Sequence, residues 1–194
     1  MSTDDRATLR RQMRAKLRAF APEVRMRAAA GVARQLDQTG WLKPGLKVAG
    51  FWSLPYELPM LIAQVGIEKA GAQYFLPILH ADQTLRFARF KAGDAVRVNR
   101  FGIPEPLATE SACTAADLDV ILMPLTAFDR QGNRLGSGGG WYDRTLAGST
   151  APRRVGVAYA AQEVPALVPA AWDVPLHHVL TEQTCLACQP FSAP

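Results

Sequence analysis

Cysteine is scarce in this chain: Cys113, Cys185 and Cys188 are the only three among 194 residues. An odd, sparse set builds no disulfide framework, so a packed core must carry stability. Cys185-Leu-Ala-Cys188 has the spacing of a zinc knuckle or redox pair, but no second pair accompanies it, and two incidental reduced thiols are expected. There is also no run of about 18 apolar residues to span a bilayer. The opening Met1-Ser2-Thr3-Asp4-Asp5 is too polar for the apolar segment of a secretory signal. Both absences predict a soluble, cytoplasmic protein without a membrane partner. Internal repeats and low-complexity tracts are missing too, and a length of 194 residues with 48% hydrophobic content predicts a single domain over residues 1–194. Neither sign of charge dominates, since 22 basic and 17 acidic residues give a formal +5.

What is present is unevenly placed. Arg6, Arg10, Arg11, Arg14, Lys16 and Arg18 crowd one short segment. Within it, Leu9, Met13, Leu17 and Phe20 fall on one helical stripe, with Thr3 as the expected N-cap and Asp4 and Asp5 in the first turn. Arg6, Arg10, Arg14 and Arg18 recur every four residues on another face. Such a row repels itself unless it is solvated or bound to an anion, so it reads either as a wet face or as an anion site. Pro22 suits the start of a second helix reaching Gln38, with Val24, Ala28, Val32 and Leu36 facing inward.

Short apolar runs follow. Lys47 to Trp52 reads as a buried strand, and Glu57 as the opening of a helix with a Leu58, Leu61, Ile62, Val65 stripe that stops at Gly71. Further strands are expected over 74–79, 85–90, 119–124, 154–159 and 179–181, whereas 91–116 reads as an ordered loop. Alternating strands and helices predict an α/β three-layer sandwich, a largely parallel or mixed sheet flanked by helices. Ligands on such sheets bind beyond the carboxyl ends of the strands, which would bring Glu57 and the loop after Met123 to one crevice.

That loop is the most informative stretch. Gly132-Asn133-Arg134-Leu135-Gly136-Ser137-Gly138-Gly139-Gly140-Trp141-Tyr142-Asp143 packs five glycines, a cation, two aromatics and a carboxylate between two hydrophobic elements. Residues without Cβ let successive backbone N–H groups converge on an anion, and a helix starting near Gly140 adds its positive end there. A Walker loop would need Lys and then Ser or Thr after its last glycine, and a dinucleotide fingerprint begun at Gly136 would need glycine where Trp141 stands. The run therefore reads as a phosphate cradle of another kind. Asp143, in the first turn, is placed to hold a magnesium ion bridging phosphates. A first-turn carboxylate contributes about 1 kcal/mol or less to stability, so Asp143→Ala is expected to leave the fold intact.

Taken in order, several segments resemble the 5-formyltetrahydrofolate cyclo-ligase family. They are the basic helix with Leu9-Arg10, Trp52-Ser53-Leu54-Pro55-Tyr56-Glu57, Phe101-Gly102-Ile103-Pro104-Glu105-Pro106, Asp119 to Pro124, Phe128-Asp129 entering the glycine run, and Trp172-Asp173-Val174-Pro175-Leu176. The resemblance covers nearly the whole chain and implies the NagB/RpiA/CoA-transferase-like form of the sandwich. It implies conversion of 5-formyltetrahydrofolate to 5,10-methenyltetrahydrofolate with ATP and Mg2+, releasing ADP and phosphate. In that chemistry the formyl oxygen accepts the γ-phosphoryl, N10 attacks the activated carbon, and phosphate departs.

The resemblance also implies the residue roles. Arg6, Arg10, Arg134, Leu135, Gly136, Ser137, Gly138, Gly139, Gly140, Trp141 and Tyr142 would meet ATP. Trp52, Glu57 and Ser137 through Trp141 would meet the folate. Arg134 and Asp143 would be catalytic, and Asp143 the metal ligand. The implied partner is a small molecule, 5-formyltetrahydrofolate with or without added glutamates, and not nucleic acid; a monomer is expected. His177 stands where some relatives carry a second magnesium-associated aspartate, and an imidazole is a poor ligand for that ion, so the role is not carried over. Read from the residues alone, two other functions stay open: a sugar-phosphate or CoA-thioester enzyme using the same cradle, and an RNA-binding module using the basic helix.

Overall fold

The computed structural model describes residues 2–188. Helix α1 (Thr3–Arg18) is capped by Ser2, not Thr3: the Ser2 hydroxyl accepts the Asp5 N–H at 3.1 Å and the Asp5 carboxylate accepts the Ser2 N–H at 2.8 Å. This reciprocal pair satisfies two donors at once, which Thr3 cannot do from inside the helix. Helix α2 (Pro22–Gln38) starts at the proline as expected and buries Ala28, Ala29, Gly31, Val32 and Leu36. Val24 stays 37% exposed, one turn too early to reach the core.

Strand β1 (Lys47–Ala49) is shorter than the expected 47–52. Gly50 still donates to Phe75 O at 2.9 Å, and the chain then leaves the sheet. Helix α3 (Leu61–Lys69) begins four residues after Glu57, beyond a turn in which Glu57 N–H meets Leu54 O at 2.9 Å. The later start rotates its inner face onto Ala63, Gln64 and Ile67, and leaves Leu61 and Val65 more than half exposed. Strands β2 (Gln73–Leu79) and β3 (Leu85–Arg89) form a hairpin. The region read as a loop contains a second hairpin, β4 (Val96–Val98) and β5 (Pro104–Pro106). Then come β6 (Val120–Pro124), the two-residue strands β7 (Ala127–Phe128) and β8 (Arg134–Leu135), and helix α4 (Trp141–Leu146). The chain continues through β9 (Arg153–Val157), β10 (His178–Leu180) and β11 (Cys185–Ala187).

The main sheet runs β11-β10-β9-β6-β1-β2-β3, with its five central strands parallel and both edge strands antiparallel. Val120-Ile121-Leu122-Met123 is buried on both faces, as a central parallel strand requires. Val48, Leu122, Val155 and Leu180 pack with residues of α1, α2 and α3 on one face. Ala49, Phe75, Ile121, Met123 and Val179 pack on the other with Leu146 of the short α4 and with loop residues, so this second covering layer is thin. The opposed faces also settle the cysteine pair, because Cys185 packs into the first cluster and Cys188 into the second, both as free thiols.

Close packing above β1 gives a clear test. A Cβ on Gly50 would lie 2.1 Å from the hydroxyl oxygen of Tyr74, whose side chain is buried. Gly50→Ala is expected to cost about 2 to 3 kcal/mol through overpacking, read as a lower urea midpoint at unchanged slope. An unshifted midpoint would show that Tyr74 moves aside freely.

Candidate active site

β6 delivers the chain to the carboxyl edge, and the β7–β8 hairpin turns it toward the glycine run. Asp129, 1% exposed, organises that turn. Its carboxylate accepts N–H groups from Gln131, Asn133 and Leu167 and the amide of the Asn133 side chain, at 2.8 to 3.0 Å. Gly132 belongs to this support: at φ +90°, a Cβ there would sit 2.7 Å from Leu176 O. Leu135 supports the bend as well, being 1% exposed with its carbonyl taking the Thr126 N–H at 2.7 Å, and it offers no side-chain surface to a ligand.

The bend proper spans Gly136 to Gly140, with Ser137, Gly138 and Gly139 exposed. Gly138 (φ +107°) and Gly140 (φ +66°) take the left-handed conformation that favours glycine. Three arginines hold its carbonyls: Arg10 Nε donates to Gly136 O at 2.9 Å, Arg14 to Ser137 O at 3.1 Å, and Arg144 to Gly139 O at 2.7 Å. Among the described residues no backbone N–H from Gly136 to Gly140 donates to another protein group. The bend therefore has most of its acceptors occupied and its donors free, the polarity an anion site needs.

The arginine row of α1 is not a wet face. Arg6 pairs with Asp173, Arg10 and Arg14 reach the bend, and the guanidinium groups of Arg14 and Arg18 lie 5.3 and 5.4 Å from the centre of the Tyr56 ring. Burial, and then the charges of Arg6 and Arg14, lower the Arg10 pKa. The Nε atoms of Arg6 and Arg14 and the Tyr142 hydroxyl are buried without a hydrogen-bond partner. Unpartnered guanidinium N–H groups on the helix that clamps a bend of free amides fit a multiply charged oxyanion such as a phosphate chain.

Arg134 lies beneath this surface. Its side chain is 4% exposed, and it donates to Asp143 Oδ1 at 2.6 Å and to the Val174 carbonyl. Asp143 Oδ1 also accepts the Val174 N–H at 3.1 Å. This overturns the expectation that Asp143→Ala spares the fold, because the change strands a buried guanidinium. Breaking such a pair costs about 3 to 5 kcal/mol. Asp143 Oδ2 takes no hydrogen bond from a described residue. No group of three or more His, Cys, Asp or Glu side chains able to hold a metal occurs among the described residues. One available carboxylate oxygen beside a phosphate cradle suits magnesium, which relies on substrate phosphates and water for most of its shell, and does not suit a dedicated protein cage.

Glu57 is not at a helix N-terminus. It sits in the turn before α3, 8% exposed, and its Oε2 accepts the Leu54 N–H at 2.9 Å. Burial pushes its pKa up to about 7, against smaller opposing effects of that hydrogen bond and of Arg14. Burial also raises the Tyr142 phenol, with Glu57 and Tyr74 adding to the shift. Trp52 is 39% exposed with its ring edge-on to Phe90 at 6.1 Å, so it is surface and not interior. Trp141 meets Phe101 edge-on at 6.1 Å, with Arg100 and Arg144 over its ring. Phe101 and Arg100 on the β4–β5 hairpin, together with Arg14, Tyr56 and Arg144, were missed as site residues by sequence reading. For Arg14 the four-residue spacing was the available signal.

His177 and His178 do not form a metal pair. His177 Nδ1 accepts the Arg154 N–H at 3.0 Å, and burial followed by the Arg154 charge lowers its pKa, while the His178 ring packs on Trp41. Two clefts lie away from the bend, one lined by Glu68, Tyr74, Arg89 and Lys91 and the other by Phe20, Arg27, Tyr159 and Glu182. The free amides and the arginines that clamp their carbonyls sit at the bend and not at either cleft.

An open, mainly parallel sheet flanked by helices, with an arginine-clamped glycine bend at its carboxyl edge, defines an α/β enzyme. The model of the 5-formyltetrahydrofolate cyclo-ligase family matches residues 2–182, and the chain belongs to that family. It is 34% identical to the 5-formyltetrahydrofolate cyclo-ligase of Haemophilus influenzae over 190 residues, covering 93% of this chain and 99% of that one. The enzyme of the same name from Escherichia coli K12 is 34% identical over 176 residues, covering 87% and 96%. Among solved structures, the 5,10-methenyltetrahydrofolate synthetase of Aquifex aeolicus superposes with a TM-score of 0.83 at 28% identity, covering 97% of this chain and 95% of that one.

Proposed function

We propose that the protein closes 5-formyltetrahydrofolate to 5,10-methenyltetrahydrofolate at the expense of ATP, with magnesium bound through Asp143. The observation that carries this reading is the bend from Gly136 to Gly140, whose amides are free while Arg10, Arg14 and Arg144 occupy its carbonyls. When bound, ATP supplies the phosphoryl group that turns the formyl oxygen into a leaving group. This chain's own task is to align two substrates and balance charge, for which fixed dipoles and cations are sufficient equipment.

Within that reading, the amides of the bend and the guanidinium groups of Arg6 and Arg10 receive the phosphates. Arg134 acts as a positioning residue that holds Asp143. Glu57 accepts pterin N–H groups from its buried turn, and Trp52 and Trp141 bound the folate side. The same reading takes the protein as a cytoplasmic monomer acting on a small-molecule folate, with or without added glutamates. No helix of the described residues is long and apolar enough to cross a membrane. Family membership disfavours a sugar-phosphate or CoA-thioester substrate. The RNA reading loses its basis too, since the arginine row is engaged in contacts inside the molecule.

Purified protein mixed with magnesium-ATP and 5-formyltetrahydrofolate is expected to develop the methenyl chromophore with stoichiometric ADP. Folded protein that stays silent would reject the proposal, and product without ADP would remove ATP from it.

A further inference from the structure

Resting on that reading, we propose that Trp172 is the stacking platform for the nucleobase of the bound nucleotide. Helix α1 orders the site along one axis, because Arg6, Arg10 and Arg14 are spaced by about 6 Å of helix rise per four residues. Arg14 lies at the folate end, over Tyr56 and close enough to Glu57 to lower its pKa. Arg10, in the middle, holds the bend. Arg6, at the far end, is paired with Asp173, the residue next to Trp172.

In-line phosphoryl transfer sets the attacking and leaving oxygens on opposite sides of the transferred group. With the formyl oxygen approaching from the Glu57 end, the nucleoside diphosphate must leave toward Arg6, and its base must lie beyond Arg6. Trp172 occupies that end. At 73% exposure it is the most exposed large hydrophobic side chain among the described residues.

Its backbone is nonetheless pinned on both sides. Asp173 N–H donates to Ala170 O at 3.0 Å, the Asp173 carboxylate accepts the Ala170 N–H at 2.9 Å, and Val174 is tied to both Asp143 and Arg134. An indole carried on a pinned backbone and left in water, one residue from a phosphate-side ion pair, is an unfilled stacking surface, and a purine is flat enough to cover it.

The test compares full-length wild type, Trp172→Ala and Trp172→Phe in calorimetric titrations with ADP and with inorganic tripolyphosphate, which has no base. Trp172→Ala is expected to raise the Kd for ADP about tenfold, with Phe restoring most of the loss. Tripolyphosphate should bind all three proteins equally, and the KM for 5-formyltetrahydrofolate should not change. Equal ADP binding by Trp172→Ala and wild type overturns the proposal while leaving the cyclo-ligase reading intact. A matching loss for tripolyphosphate also overturns it, since Trp172 would then act only through the loop carrying Asp173. Wild type that binds neither probe would overturn both this inference and the reading beneath it.

Discussion

Asp143→Asn is expected to lower kcat/KM about a thousandfold, equivalent to about 4 kcal/mol of transition-state stabilisation. Asparagine retains an oxygen for the Val174 N–H and for Arg134, so this variant loses less stability than Asp143→Ala, in which the guanidinium of Arg134 is left buried and unpaired. The two roles open to the carboxylate separate in a magnesium titration. A ligand to the ion predicts that the variant needs much more magnesium for its residual rate. A residue that only positions Arg134 predicts an unchanged magnesium requirement and a loss confined to kcat, and that outcome would remove Asp143 from the metal shell.

The second large effect belongs to Glu57. Its pKa rises from 4.5 in the unfolded chain to about 7 in the folded protein because burial penalises the charge. Between those two values the folded protein keeps a proton that the unfolded chain has released, so stability falls as pH rises through the window and levels off above it. Glu57→Gln removes the titration. The variant should match wild type near pH 4.5 and exceed it by about 3 kcal/mol at pH 8, measured by urea denaturation at both values. Folate binding should move the other way. The ionised carboxylate is the better acceptor for pterin N–H groups, so wild-type affinity should rise with pH through about 7. Glu57→Gln should weaken the folate about a hundredfold at pH 8 with little effect on ADP. A variant no more stable than wild type at pH 8 would show that Glu57 is better solvated than its burial implies.

The contrast between Asp143 and Glu57 shows where local patterns run out. A first-turn carboxylate in α4 and a carboxylate near the start of α3 looked equivalent as helix-end charges. Asp143 is instead clamped by Arg134 and by Val174, 31 residues further along the chain, and Glu57 stands outside its helix altogether. Likewise, Arg6, Arg10 and Arg14 could be placed on one face from their spacing, but the same spacing would describe a solvated row. Their partners Asp173, Gly136 and Ser137 lie well over a hundred residues away.

By itself, the amino-acid order determined the alternating α/β plan, the buried central strand Val120-Ile121-Leu122-Met123, the glycine bend and the helical arginine row. Each is a short-range pattern of polarity or backbone freedom, complete within a dozen or so residues. Tertiary structure alone decided the inner face of α3, the added edge strand β11, the separation of Cys185 from Cys188 onto opposite faces, and the burial that raises Glu57. These depend on which distant surfaces exclude water together, and exclusion of water is a property of the assembled core that no local run of side chains specifies.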